Sequence, residues 1–323
     1  MAWIIGFDTS CYTTSVAVVT EYGQAVASQR RLLQVPAGSR GLRQSEMVFQ
    51  HNAALPQLLT LALEEARMGS DDDIPIAALC ASARPRDVES SYMPAFTVGE
   101  GYARALSVAM KVPLFLTTHQ QGHIAAARVG TNLDACVGQA TEHLALHLSG
   151  GTTELLLCSD HPPKAQLLGG TLDIALGQLV DRVGVKLGLP FPAGPHLEAL
   201  AEAGVANVPT VSLKELNVNL SGAEAAFMRR IEAGEAPRDV AASVFAYAAN
   251  VIAMLLEAGM QQTGVQTALL MGGVASSHRL RDLLAHKPIP APEWASPPLS
   301  GDNAVGVAII GAAMFTKQTI TNK

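Results

Sequence analysis

The stretch WIIGFDTSCYTTSVAVV, residues 3–19, decides the fold class of this chain. Two apolar runs lie on either side of a polar turn, a pattern that predicts a β-hairpin. The stretch HLALHLSGGTTELLLC, residues 143–158, repeats that order, with a Ser-Gly-Gly-Thr-Thr turn between two apolar runs. Two hairpins of one design in the two halves of the chain predict a duplicated α/β fold with a cleft between the halves.

The segments after each hairpin alternate between helix and strand patterns. In the first half the apolar spacing predicts a helix over 47–66, a strand over 76–82, a helix over about 97–110 and a strand over 113–118. In the second half it predicts helices near 173–188, 196–203 and 237–263, a strand over 267–273 and a closing helix near 302–317. No low-complexity linker separates the halves. We therefore expect domains of residues 1–131 and 132–323, with the last helix free to pack back on the first domain.

Composition indicates a folded protein with a large core. The 323 residues are 49% hydrophobic and 15% charged, and the formal net charge is −6. That charge argues against a large basic surface for nucleic acid, and the cluster Arg30, Arg31, Arg40 and Arg43 is interpreted as a solvated loop. The four cysteines form no CxxC pair and are interpreted as reduced thiols of a cytoplasmic protein. The uncharged stretch 240–256 predicts a buried helix, and no membrane partner is expected.

The stretch TTHQQGHIAAA, residues 117–127, contains two histidines four residues apart, His119 and His123. Four residues is just over one helical turn, so both rings would project from one face of a helix. From the residues alone, a metal site and two polar side chains that share a face are both consistent with this spacing.

Two glycine turns follow strands at matching positions of the two halves. In LSGGTTE, residues 148–154, adjacent glycines let backbone N–H groups approach an anion, and the threonine hydroxyls add donors. MGGVASSHRLR, residues 271–281, predicts a strand, a turn and a helix capped by Ser276 or Ser277. A single Gly-Gly is more often a tight turn without a ligand, but the two turns together favour a nucleotide.

In combination and order, these motifs resemble those of the TsaD family, the tRNA threonylcarbamoyladenosine synthase subunit once labelled an O-sialoglycoprotein endopeptidase (glycoprotease). The resemblance covers nearly the whole chain, from GFDTSC to GDNAVGVAIIGAAM. It rests on the HxxGH form of the histidine pair, the SGG and GGV turns, DIALGQLVDRVGVKLGLPFPAGP, NLSGAEAAF and the final Asp-Asn. It implies a duplicated actin-like ATPase fold, which is ribonuclease-H-like, and transfer of a threonylcarbamoyl group to a tRNA adenosine.

The resemblance also implies a metal and a nucleotide. It implies iron or zinc on His119, His123 and Asp302, although Asp302 taken alone is explained as a helix N-cap. It implies ATP or threonylcarbamoyl-adenylate near Leu148, Ser149, Gly150, Gly151, Asp181, Gly194, Gly272, Gly273 and Ser277. The partners implied are tRNA and other synthase subunits, or a related actin-like subunit.

Several positions depart from the family pattern, mostly by loss of acidic side chains. An adjacent acid pair is replaced by Tyr12-Thr13, a histidine by Thr152, two glutamates by Gln121 and Gln178, and a Gly-Pro-Gly segment by RPRDVE at 84–89. Gln, Thr and Tyr are poor general bases at neutral pH, so the pattern predicts a divergent paralogue with weakened catalysis. Asp8 is a candidate for the vacant catalytic role.

Three functions follow from these residues. The first is a metal-dependent threonylcarbamoyl transferase, which the three metal ligands favour. The second is a non-catalytic actin-like paralogue that binds nucleotide and metal and acts through protein partners, which the lost acid pair favours. A glycoprotease-type metallopeptidase is less favoured because HExxH would place a glutamate beside the first histidine, where Gln120 stands.

Overall fold

The computed structural model describes residues 1–10, 12–35, 42–69, 74–88, 91–134, 142–160, 163–296, 299 and 304–321. Within these ranges the chain forms two β-sheets of related topology, one from each half. The two hairpins predicted from the sequence are the first two strands of each sheet.

The first sheet has the strand order β3-β2-β1-β4-β5. Its strands are β1 Trp3–Ser10, β2 Thr13–Thr20, β3 Ala25–Leu32, β4 Ile76–Arg84 and β5 Leu114–Thr118. The first three strands form an antiparallel meander, and β4 and β5 are added in parallel beside β1. The helices that follow these strands are α1 Gln44–Met68, α2 Phe96–Met110 and α3 His119–Arg128. Helices α1 and α2 cover one face of the sheet, against Ile5 and Phe7 of β1.

The second sheet has the order β12-β11-β6-β7-β8-β10-β9. Its strands are β6 His143–Leu148, β7 Thr153–Asp160, β8 Pro163–Thr171, β9 Leu213–Lys214, β10 Asn217–Val218, β11 Ala268–Met271 and β12 Glu293–Trp294. Read from β8 to β12, this sheet repeats the order of the first, and the short β9–β10 pair extends its edge. Its helices are α4 Leu176–Lys186, α5 Gly194–Ala201, α6 Ser221–Glu232, α7 Pro237–Thr263 and α8 His278–Ala285.

Helix α7 forms the centre of the larger core. Its buried side chains pack with Leu144, Leu146 and Leu148 on one face of the second sheet. Among the described residues α7 is the one helix long and apolar enough to cross a membrane, and 78% of its most apolar window is buried inside the structure. The uncharged stretch 240–256 is therefore part of a buried helix, as predicted.

Two helices form a layer between the sheets. The last helix, α9 Val305–Thr321, packs on the free face of the first sheet, where Val305, Ala308 and Ala312 meet Ile4 and Ala78. Helix α3 contacts α9 and also packs on the second sheet through Ile124 and Ala127. The segment that carries the histidine pair therefore lies where the two halves meet.

The structure contains elements that the sequence did not predict. The third strand of each sheet, β3 and β8, was missed, as was helix α6. Strand β3 is mostly exposed and carries Gln29, Arg30 and Arg31, so it lacks the apolar alternation of a half-buried strand. Because β3 is paired with β2 on one side only, it forms an edge strand, where polar and charged side chains are tolerated. The interpretation of Arg30 and Arg31 as loop residues is therefore wrong.

Candidate functional site

The first turn of α3 is fixed by a capping box. The Thr118 hydroxyl accepts a hydrogen bond from the Gln121 N–H at 3.2 Å. The Gln121 side-chain oxygen accepts in return from the Thr118 N–H at 3.2 Å and from the Thr117 hydroxyl at 2.8 Å. These bonds satisfy N–H groups that a helix start leaves without partners, so α3 begins directly after β5, at His119.

His119 and His123 face each other on one side of α3. Their Nε2 atoms are 2.9 Å apart and the ring centroids are 4.3 Å apart. The Nδ1 atom of His119 lies 2.9 Å from a carboxylate oxygen of Asp8 on β1. The Asp8 carboxylate therefore fixes the orientation of the His119 ring and leaves its Nε2 directed at His123.

Asp8 is an interior residue. It is 1% exposed, and it accepts hydrogen bonds from the hydroxyls of Ser82 and Ser10. Burial raises the pKa of the Asp8 carboxyl, but the charge and hydrogen bond of His119, the Ser82 hydrogen bond and the charge of His123 outweigh it, so the pKa lies below its usual value. Asp8 is thus an ionised group behind His119 and not a side chain in the cleft, which does not fit the catalytic role considered for it.

The histidine pair fits the donor set of a metal such as iron or zinc. Two nitrogens bound at about 2.1 Å to one ion would be about 3.0 Å apart at the right angle of octahedral coordination and about 3.4 Å apart in the tetrahedral geometry usual for zinc, so the separation found is closer to the octahedral value. A carboxylate on the second nitrogen of a ligating histidine is the usual outer support of such a site. The proposed third ligand, Asp302, lies outside the described residues. Within the described ranges, no group of three or more His, Cys, Asp or Glu side chains is arranged to hold a metal.

A cavity of about 370 Å³, here called the histidine cavity, opens in front of the pair. The first half contributes Pro85, Arg86, His119, Gln120 and His123, and the second half contributes His147, Ser149, Thr152, Glu154, Gly272 and Gly273. His147 was missed in the sequence, although it precedes the SGG turn on β6. Its ring centroid lies 6.0 Å from that of His123. Strand alternation was the available signal, because Leu146 and Leu148 face the core and His147 must face the cleft.

A second cavity, of about 430 Å³ and here called the Asp181 pocket, adjoins the first at Gly273. Five of the predicted nucleotide residues line it: Gly150, Asp181, Gly194, Gly273 and Ser277. Two others, Ser149 and Gly272, line the histidine cavity. Gly151 lines neither cavity, and the Leu148 side chain is buried in the core, so only its backbone faces the turn.

The glycine turns leave space where an anion would bind. A Cβ added to Gly150 would meet nothing within 4 Å. Gly272, in contrast, has φ +95° and a Cβ there would lie 2.3 Å from the Leu148 carbonyl oxygen. Gly272 is therefore required for the close approach of β6 and β11. At Gly150, by contrast, no neighbouring protein atom excludes a side chain.

Two of the predicted nucleotide residues have structural roles. The Ser277 hydroxyl accepts from the Leu280 N–H at 3.2 Å and caps α8, as predicted. The same hydroxyl oxygen was also predicted to contact the nucleotide. One Asp181 oxygen accepts from the Ala193 N–H at 2.8 Å and ties α4 to the loop before α5. A carboxylate has a second oxygen for a ribose hydroxyl.

Gln121 and Gln178, interpreted from the sequence as lost catalytic acids, both cap helices in the structure. Gln121 belongs to the capping box of α3, and its side chain points away from the histidine cavity. Gln178 is the third residue of α4, and its side-chain oxygen accepts from the Ala175 N–H at 3.1 Å. Glu and Gln serve equally at this helix position, so neither substitution removes a group from the site. Two departures remain: Tyr12, which is 40% exposed between β1 and β2, and Thr152, which lines the histidine cavity.

Comparisons with known proteins agree on one family. The family model described as TsaD: tRNA N6-adenosine threonylcarbamoyltransferase matches residues 45–309. A Methanopyrus kandleri protein with the name tRNA N6-adenosine threonylcarbamoyltransferase is 30% identical over 310 residues, which cover 95% of this chain and 86% of that protein. A Bacillus licheniformis protein of the same name is 33% identical over 333 residues, covering 98% of this chain and 92% of that protein.

Solved structures share the fold at low identity. The HypF protein of T. kodakarensis superposes with a TM-score of 0.61 at 14% identity, covering 98% of this chain and 48% of HypF. Component A of the Acidaminococcus fermentans (R)-2-hydroxyglutaryl-CoA dehydratase superposes with a TM-score of 0.55 at 14% identity, covering 98% of this chain and all of that chain, 100%. With the repeated strand order, these likenesses confirm the predicted duplicated actin-like ATPase fold.

Proposed function

Because this chain belongs to the TsaD family, we propose that it transfers a threonylcarbamoyl group from an adenylate donor to an adenosine of tRNA. One observation carries the proposal. The histidine pair, braced by buried Asp8, opens into the same cavity as the two glycine turns, and that cavity adjoins the Asp181 pocket. An acyl group next to a nucleotide needs two adjoining sites of this kind.

The nucleotide of the donor would occupy the Asp181 pocket. Its ribose would be held by the second oxygen of Asp181, and its phosphate by the backbone at Gly150 and at Gly273, the residue that the two cavities share. Backbone N–H groups at glycine turns bind phosphate because no side chain blocks close approach. The acyl group would then extend into the histidine cavity.

His119 and His123 would hold the family's metal together with Asp302, and His147 is a further imidazole on the opposite wall. When bound, such a metal polarises a carbonyl oxygen as a Lewis acid. Asp8 would keep the His119 ring in the tautomer that leaves Nε2 unprotonated. The protein's part is to orient the acyl group between the glycine turns and the imidazoles.

Transfer consists of one substitution at the carbamoyl carbon. The N6 nitrogen of adenosine forms a bond to that carbon and gives up a proton to water, while the bond from that carbon to the phosphate oxygen breaks and AMP leaves. This chain has a net charge of −6, which does not favour binding of polyanionic tRNA. The proposal therefore includes a partner protein that helps to bind tRNA. A Methanocaldococcus jannaschii relative, 28% identical, is called a probable bifunctional tRNA threonylcarbamoyladenosine biosynthesis protein; the match covers 96% of this chain and 55% of that protein.

The second candidate function is a non-catalytic paralogue that binds the nucleotide and acts through partners. The replacement of the acid pair by Tyr12-Thr13 favours it. The two candidates differ in one assay, in which tRNA, threonine, bicarbonate, ATP and the other synthase components are combined and this chain replaces the usual transferase. Modified tRNA with this chain, and none with its His123→Ala variant, supports the transferase. No modification, with AMP still bound, supports the binding paralogue.

Gly150→Val tests the nucleotide site in particular. The branched side chain would enter open space, so the free energy of unfolding should stay within about 0.5 kcal/mol of the original. The affinity for AMP, measured by calorimetry, should fall by at least about tenfold because the side chain occupies the phosphate position. Equal AMP affinity in the variant and the original would show that phosphate does not bind at this turn.

A further inference from the structure

The segment 84–88, where the family has Gly-Pro-Gly, places a cation at the wall of the histidine cavity. The Pro85 carbonyl accepts from the Gln120 N–H at 3.0 Å, and the Arg86 N–H donates to the Ser91 hydroxyl at 3.2 Å. These bonds tie the segment to the start of α3 and hold Arg86 at the cavity wall. Arg86 is the one Lys or Arg among the described residues that line this cavity.

The Arg86 side chain reaches across the cleft. Its Nη2 atom lies 2.7 Å from a carboxylate oxygen of Glu154 on β7, and the other oxygen accepts from the Gln120 side-chain amide at 3.3 Å. Both carboxylate oxygens of Glu154 are therefore occupied by groups of the first half. Glu154 is the only partner found for the Arg86 guanidinium within the described ranges.

A guanidinium has more donors than this pairing uses. It offers five N–H groups in a planar fork, so one edge can stay on Glu154 while the other binds a second carboxylate. The proposed donor carries two anionic groups, a phosphate and the carboxylate of its threonine. The glycine turns bind the first, and the second needs a cation inside the histidine cavity.

We propose that Arg86 binds the carboxylate of the acyl donor, and that Glu154 holds its guanidinium in position across the cleft. This rests on the proposed function and extends it, because it makes the cavity selective for acyl groups that end in a carboxylate. The selectivity belongs to the segment RPRDVE and thus to this chain, since a Gly-Pro-Gly segment offers no side-chain cation.

The test measures binding of three probes to the full chain by calorimetry. They are AMP, a non-hydrolysable mimic of threonylcarbamoyl-adenylate, and the same mimic with its carboxylate converted to a carboxamide. The original chain should prefer the carboxylate over the carboxamide by about 10- to 100-fold, the usual range for a hydrogen bond to a charged group. AMP should bind equally well to every variant.

Four variants distinguish carboxylate binding by Arg86 from the effects of neighbouring charges. Arg86→Met should abolish the preference, but it also leaves Glu154 unpaired, and that charge would itself repel a carboxylate. The double variant Arg86→Met with Glu154→Gln removes this repulsion and should still show no preference. Glu154→Gln alone should keep a reduced preference, because the neutral amide holds the Arg86 guanidinium less firmly. The matched control Arg84→Met, whose guanidinium pairs with Asp87 at 2.5 Å outside the cavity, should keep the full preference.

The results of these binding measurements separate a failure of the Arg86 proposal from a failure of the proposed transferase function. If neither AMP nor the mimic binds the original chain, the proposed donor site is wrong, and the role of Arg86 is wrong with it. If both bind and the carboxylate and carboxamide mimics bind equally, Arg86 is not the carboxylate site while the transferase proposal stands. A preference that returns in the double variant would also overturn the role of Arg86, because charge repulsion alone would then explain the single variant.

Discussion

At the residue scale, the chemistry of the site depends on what stands behind each functional side chain. His119 points at His123 because the Asp8 carboxylate holds its other nitrogen at 2.9 Å. Asp8 in turn is fixed by Ser82 and Ser10. An imidazole oriented in this way loses little rotational freedom on binding a metal, and its basicity is raised by the carboxylate.

Replacing Asp8 by Asn should weaken metal binding without removing a ligand. The amide can still hydrogen-bond to His119, but it cannot supply the negative charge, so affinity for Zn²⁺ should fall by about 10- to 100-fold. Competition with a chromogenic chelator measures this, and His119→Ala should lose binding altogether. Asp282→Asn, on α8, is the control and should bind metal as the original does. Unchanged affinity in Asp8→Asn would mean that the metal is not held through His119.

The capping roles of Gln121 and Gln178 were not recognised from the sequence. Both stand where the family has glutamate, and the sequence suggested that catalytic acids had been lost. In the fold both are third residues of helices and cap them. The sequence contained the relevant pattern at α3, Thr118 followed three residues later by Gln121, which is a capping box. His147 was missed for the opposite reason, since it belongs to no motif and is brought to the cavity by strand pairing alone.

At the element scale, the glycine of HxxGH serves helix packing. A Cβ on Gly122 would lie 2.9 Å from a Val307 methyl of α9, and a Cβ on Gly306 of α9 would lie 1.8 Å from the Gly122 carbonyl oxygen. Helices α3 and α9 therefore cross at these two glycines. This contact joins α9, which packs on the first sheet, to α3, which carries the two histidines.

Gly306→Ala should destabilise the protein because the added methyl has no space. The overlap with backbone atoms of α3 forces the helices apart, and overpacking of this kind costs about 1–3 kcal/mol. Gly101→Ala is the matched control, since Gly101 lies within α2 and its added Cβ would meet nothing within 4 Å. That control should gain up to about 1 kcal/mol from helix propensity. Urea unfolding measures both, and a stable Gly306→Ala variant would contradict the close helix crossing.

Helix α6 shows how a distant side chain can start a helix. Its first N–H groups have no local cap, and Asp173 from another segment accepts from the Leu220 N–H at 2.9 Å and from the Ser221 N–H at 3.0 Å. No sequence pattern links residues so far apart, which explains why α6 was not predicted. The sequence does link the residues of one turn, and the start of α8 at its Ser277 cap was predicted from such a link.

Asp173→Asn should lower stability in a pH-dependent manner. Burial raises the pKa of Asp173, but hydrogen bonds from the Ser221 side chain and from three backbone N–H groups lower it to about 2, below the ordinary value of 3.8. The ionised group therefore stabilises the fold above about pH 4, and this contribution is lost as the pH falls towards 2. We expect a loss of about 1 kcal/mol at pH 7, as for other helix caps, and a smaller loss at pH 3. An equal loss at both pH values in urea unfolding would assign the effect to packing and not to charge.

At the scale of the whole molecule, the site exists because two similar halves meet. The Asp181 pocket is lined by the second half alone, whereas the histidine cavity takes side chains from both. The sequence predicted the duplication because each half opens with a hairpin of strong apolar pattern. It could not predict that α3 would lie between the sheets, since the faces of α3 that contact α9 and the second sheet are set by the packing of the complete fold.

Catalysis by the whole molecule depends on which of the substituted acidic positions act on the substrate. With Gln121 and Gln178 serving as caps, the pair Tyr12-Thr13 is the remaining acid loss to which a catalytic deficit can be assigned. In the tRNA modification assay we expect this chain to be slower than a family member with the full acid pair, by about 10²–10⁴-fold if a catalytic acid or base is missing. Tyr12→Asp with Thr13→Glu should recover much of that difference, although Thr13 is 3% exposed and the double variant must first be shown to fold. Restoring glutamate at 121 and 178 is the matched control and should change the rate little, because those side chains cap helices. Recovery by the control and not by the Tyr12-Thr13 variant would mean that the two capping residues also act on the substrate.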